Sequence, residues 1–160
     1  MLISTKVYKA IEEEAKRRGE STETLIAEAF LSKLDPQERV EVYEELFELY
    51  FSEAERLYAR EELPQAGEKY WSAVASLLKA IAELEDLPHY THRDYVEIVE
   101  HIAEKQNNPE ISILFSLAEG LHANFYHSFL RKPTFSKHRE GVLKLIKKLK
   151  EYLNALKLSK

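Results

Sequence analysis

Six histidines, one tryptophan and no cysteine limit the chemistry open to this chain of 160 residues. The densest polar group sits in Pro109–Leu130, where His122, Asn124 and His127 interrupt an apolar stretch and Arg131 follows just beyond it. A histidine can move the proton of a ribose 2′-hydroxyl, and an arginine can hold the adjoining phosphate. These four residues are therefore the candidates for in-line RNA cleavage. The competing reading is structural, because polar groups amid apolar ones need partners and often bond to each other. A second group is Lys69, Trp71, His92 and Arg93, whose cations and rings could hold a nucleotide by charge and stacking. Against it stands the ordinary fate of a lone tryptophan, which is to fill a core while the neighbouring lysine lies along the surface.

Other chemistries find no support. His89 and His92 have a metal-like spacing, but they fall in a connection with no evident carboxylate or imidazole companion. Glu-x-x-His motifs on two helices, as di-metal bundles use, are missing, and without cysteine there is no thiolate site. A serine nucleophile elbow, a P-loop and a glycine dinucleotide loop are absent too. No metal and no cofactor is expected.

The elements that must position these residues read as helices throughout. Val7, Ala10, Ile11 and Ala15 give a short amphipathic helix closed by Gly19, and Ser21 caps a second with Leu25, Ile26, Ala29 and Phe30 on its apolar side. Asp35-Pro36-Gln37-Glu38 is a capping box with proline in the first turn, opening a helix to about Arg60 striped by Tyr43, Leu46, Phe47 and Tyr50. After a turn at Glu61–Pro64, residues 66–84 form a helix rich in Ala, Gly and Ser. Thr91 and Asp94 box the next, which runs to about Lys105. Asn108 and Pro109 start the helix through Leu130, expected to be the centre of the fold, and Ser136 is expected to cap the last. The prediction is all-α: a two-helix N-terminal hairpin (1–34) and a bundle of about five helices (35–160). The hairpin resembles the helical half of ribbon-helix-helix DNA-binding proteins. Met1–Ser4, where that fold has its reading strand, offer no Arg, Lys, Asn or Gln to a base edge, so specific DNA readout is not expected.

Net charge is −5, yet residues 131–160 hold ten basic residues against two acidic. Either this is a solvated helix face, or it is a surface for phosphate or for an acidic neighbour. No run of about 18 apolar residues could cross a membrane, and the first residues lack the pattern of a secretory signal. With no cysteine, a cytoplasmic protein is expected, and the abundance of Glu and Lys would suit a thermophile. Val42, Leu49 and Phe51 widen the apolar stripe of the third helix beyond what one partner helix covers, and the extra width is either core or the subunit interface of a homodimer.

The order of helices, with A-G-E-K-Y-W-S-A-V-A-S-L-L-K-A-I-A, T-H-R-D-Y and A-E-G-L-H-A-N-F-Y, resembles the archaeal PaREP family, a branch of the HEPN-like helical domains. That resemblance implies a dimer, and either a metal-independent ribonuclease or a binding partner for a nucleotide or macromolecule. The nuclease motif it implies is an Arg followed after four to six positions by a His, completed across the dimer. Arg93 to His101 has too many intervening residues. Arg131 to His138 has the right number, but Pro133 is expected to part them between two elements. A non-catalytic, homodimeric binding module is the reading this leaves first, and a ribonuclease or a DNA-binding regulator are the alternatives.

Overall fold

Residues 66–82 alternate small side chains with branched ones, and small side chains let neighbouring helices approach closely. In the computed structural model, which describes residues 3–160, they lie in the most enclosed helix of the protein. Among the described residues there are seven helices and no strand: α1 (Thr5–Arg18), α2 (Thr22–Leu31), α3 (Pro36–Ala59), α4 (Leu63–Glu85), α5 (His92–Lys105), α6 (Glu110–His127) and α7 (Lys132–Leu158). Of the segment expected to replace a reading strand, Met1 and Leu2 lie outside the described residues. Fourteen residues of α4 are buried, and it packs against α3, α5, α6 and α7. The centre is therefore α4 rather than α6. In α6, Leu114, Ala118 and Leu121 are buried, but Ile113, Phe125 and Tyr126 stand in solvent.

The caps behave as local chemistry dictates. Asp35 with Glu38 and Thr91 with Asp94 form complete capping boxes, and Gly19 closes α1 in the left-handed region at φ 67°. Two proline boundaries need correction. Pro64 and Pro133 both sit inside the first turn of their helices, where the missing N–H costs nothing. Hence α4 starts at Leu63, and α7 starts at Lys132 with Arg131 at the cap position, not at Ser136. Ser136 is already helical, its hydroxyl donating to the Lys132 carbonyl at 2.8 Å. α6 also ends early, because Ser128 turns left-handed at φ 47° and leaves Phe129 outside the helix.

Glycine permits the closest helix contact. A Cβ on Gly67 of α4 would lie 2.7 Å from the backbone oxygen of Leu121 on α6. One on Gly141 would clash with the Leu117 Cδ1, the movable end of a side chain, at 2.2 Å, and would touch no backbone atom among its three nearest neighbours. Gly67→Ala is expected to lose about 1–3 kcal/mol through overpacking, outweighing the ~1 kcal/mol that Ala gains within a helix. Gly141→Ala should lose less. Urea unfolding of the two variants beside the parent chain checks the order.

Candidate functional site

Trp71, from the second candidate group, is the hub of a cluster of rings. It is 5% exposed on α4, with the His122 ring of α6 stacked at 4.8 Å and the His92 ring of α5 at 5.6 Å. Tyr95 meets it edge-on at 6.0 Å, and Phe115 tilts against it at 5.6 Å. His92 forms the solvent end of this column, held by Glu119, whose carboxylate lies 2.8 Å from Nε2. His122 forms its half-buried end, with Tyr126 edge-on at 5.3 Å and a buried Nδ1 that has no partner. Burial first, and then the charge of His92, push the His122 imidazole below its usual range, so it stands neutral at pH 7. The one Glu-x-x-His of α6, Glu119 to His122, thus spends its carboxylate on His92.

The expected nucleotide clamp does not assemble. Lys69 and Trp71 are two residues apart, roughly 200° around a helix, so they cannot share a face. Lys69 instead lies 5.4 Å over the Tyr50 ring and 3.6 Å from Glu68. Arg93 is turned to solvent, its nearest acid being Glu97 at 3.7 Å. His92 alone joins Trp71. His89 and His92 likewise part company. His89 is buried with Nδ1 at 2.9 Å from the Leu87 carbonyl and Nε2 at 3.2 Å from Glu83, so it does have a carboxylate beside it. Among the described residues no three histidine, aspartate or glutamate side chains gather to hold a metal ion.

The four expected catalytic residues do not converge either. Among the described residues no side-chain hydrogen bond joins any two of His122, Asn124, His127 and Arg131. Asn124 is 1% exposed and architectural: its Oδ1 accepts from the Leu130 N–H at 2.7 Å, tying down the chain where α6 ends. His127, the last residue of α6, and Arg131, at the cap of α7, are exposed at the corner between the two helices.

That corner also contains His138. With Pro133 inside the first turn, Arg131 and His138 belong to one continuous helix start, two turns apart and on one face. The His138 Nδ1 lies 3.0 Å from the Thr134 carbonyl, which can only accept, so Nδ1 donates there. The ring rests against Gly120, where any Cβ would come within 3.0 Å of it. The tolerance of a helix for proline in its first turn was the signal that could have found this pair. Around it α7 has no side-chain cap and no acidic residue in its first turn, while Phe125, Tyr126 and Phe129 expose their rings close by in the chain.

Charge elsewhere is spent inside the chain itself. Lys79, 2% exposed at the heart of α4, holds Glu20 at 3.0 Å and Glu28 at 2.5 Å, and the Tyr95 hydroxyl donates to Glu20 at 2.8 Å. A lysine amid S-L-L-K-A-I-A is a legible signal of a buried cation, which the expectations above do not include. The basic C-terminal run is also largely paired. Arg139 reaches Glu55 at 2.7 Å, Lys148 reaches Glu110 at 3.2 Å, Lys150 reaches Glu48 at 3.2 Å, Lys157 reaches Glu44 at 2.9 Å, and Lys132 pairs with Glu61. The charge contrast between body and last helix serves the packing of α7 on α3 and α6.

No helix among the described residues is long and apolar enough to cross a membrane. No curated protein and no solved structure matches the chain. The model of one family does match, over residues 42–146, a span that runs from within α3 into α7 and so takes in the ring column, the buried lysine and the α6–α7 corner. On that match the chain belongs to the archaeal PaREP1/PaREP8 family.

Proposed function

We propose that this protein is a HEPN-like homodimer that binds single-stranded RNA at the α6–α7 corner, acting as a binding module rather than an enzyme. The observation that supports it most is the company kept at the start of α7. There, uncapped backbone N–H groups and the Arg131 side chain favour a phosphate, and the exposed ring of Phe129, two residues before Arg131 in the chain, offers a face to a base. A nucleotide held at Trp71 has less support, since His92 and His122 already stack on that ring.

A metal-independent ribonuclease is the second reading. The Arg131–His138 pair favours it, with an imidazole and a guanidinium two turns apart at the start of α7. One experiment addresses both. Purified protein is titrated into labelled single-stranded RNA in chelator, followed by anisotropy at two salt concentrations and then by gel. The expected result is salt-sensitive binding that Arg131→Ala weakens, with the RNA intact. RNA cut in chelator, with His138→Ala stopping the cutting, would establish the enzyme instead. RNA neither bound nor cut at low salt would remove the proposal.

A further inference from the structure

The charges that join the N-terminal hairpin to the bundle are segregated. The bundle contributes the cation, Lys79, with the rings of Tyr43 and Tyr95 at 5.9 and 6.0 Å from its Nζ. The hairpin contributes both carboxylates, Glu20 from the turn after α1 and Glu28 from α2. The Tyr95 hydroxyl also donates to Glu20. The Tyr43 hydroxyl is fully buried and has no partner. Burial first, and then the charge of Glu28, hold it above its ordinary range, so it keeps its proton and can donate. Glu83, a bundle acid that also acts on Tyr43, is taken up by Arg39 and His89 at 3.2 Å each. Beyond its carboxylates the hairpin has little hold. The backbone of α1 comes close to no helix but α2, and α2 comes close only to α3 in the bundle. Ala15 and Leu31 are the buried apolar residues of the two helices, while Val7 and Phe30, 51% and 55% exposed, turn to solvent. At the seam, an open cleft of about 560 Å³ already reaches Glu20, Ser21, Glu23 and Lys69.

We propose that Lys79, Tyr43 and Tyr95 form a phosphate-binding site on the bundle, and that the hairpin is its built-in competitor, closing it with Glu20 and Glu28 where a ligand's oxygens would sit. An ammonium in the middle of a buried helix needs negative charge beside it, and phosphate oxygens meet that need as carboxylates do. Phenol hydroxyls that keep their protons are the second kind of donor an oxyanion takes, and the Tyr43 hydroxyl is one that the hairpin leaves unused. Two carboxylates share one ammonium, so repulsion between them offsets part of what holds the hairpin down. A ligand therefore displaces a polar contact and little apolar packing. The family match over residues 42–146 takes in Tyr43, Lys79 and Tyr95 and leaves out Glu20 and Glu28, so the donors and the arm that covers them belong to different parts of the chain. This site is separate from the α6–α7 corner and does not depend on RNA binding there.

Hydrogen exchange on the full parent chain tests this, with inorganic pyrophosphate set against sodium chloride at the same ionic strength. Pyrophosphate is expected to speed exchange in α1 and α2 about threefold or more beyond chloride while α4 stays protected. Equal effects of the two salts mean screening and not a site, and overturn the proposal. Calorimetry then compares variants. Glu20→Gln with Glu28→Gln should bind pyrophosphate about tenfold tighter than the parent, because a larger share of the chain is open to the ligand. Adding Lys79→Met to that pair should abolish the gain. Binding that survives Lys79→Met, or that is lost with Arg131→Ala in its place, overturns the site. Single-stranded RNA in place of pyrophosphate tells a free phosphate from one in a strand, and either source acting through Lys79 upholds it. The exchange measurement needs no variant, so it decides even where a variant misfolds.

Discussion

Lys79→Met is expected to destabilise the protein by roughly 3–5 kcal/mol, the cost of breaking a buried ion pair from one side. Methionine keeps most of the volume, so the loss is electrostatic. Glu20 and Glu28 would face each other without the ammonium that lies between them, and both are largely withdrawn from water. The rings of Tyr43 and Tyr95, 5.9 and 6.0 Å from Nζ, would lose their cation as well. Part of the cost is avoidable by release of the hairpin, since Glu20 and Glu28 belong to it. Hydrogen exchange should therefore quicken in α1 and α2 before it does in α4. Adding Glu20→Gln and Glu28→Gln to the same chain should recover much of the stability, because removing every charge of a network is cheaper than removing one. A Lys79→Met chain that unfolds within about 1 kcal/mol of the parent in urea would mean the triad does not hold the hairpin down.

Trp71→Ala is the other substitution with a large expected effect, about 3–5 kcal/mol for emptying so large a buried site. Four rings close on this indole from α5 and α6, so its loss removes the contact that fixes both helices to α4. Trp71→Phe should restore most of the stability. His92→Ala, which removes only an exposed ring and its pair with Glu119, should cost under about 1 kcal/mol. Denaturant unfolding followed by circular dichroism reads all three, the chain's one fluorescent indole being gone in two of them. If Trp71→Ala were as stable as the parent but had lost affinity for a nucleotide, the ring would be a ligand platform and not a core residue.

The helices themselves were legible because their signals are local. A capping box at Asp35, another at Thr91 and a glycine after Arg18 each act within four residues, and the structure has all three. Where a boundary was misread, the error was equally local. Proline reads as a break at 64 and 133, yet in the first turn it merely stands where no hydrogen bond is due. That one misreading hid His138 from the candidate site. Lys69 and Trp71, near neighbours in the chain, looked like a clamp until the turn of the helix set them on different sides.

By itself, then, the sequence determined seven helices, most of their ends and their apolar stripes, since these follow from backbone hydrogen bonding and side-chain periodicity along one stretch of chain. Which way a stripe faces was left to the tertiary structure. The apolar side of the hairpin looks outward because a buried lysine on α4, about fifty to sixty residues downstream, draws its glutamates inward. The cations of α7 became packing contacts because α3 and α6 set carboxylates opposite them. Coulomb attraction depends on distance in space, and no spacing within the chain reveals it.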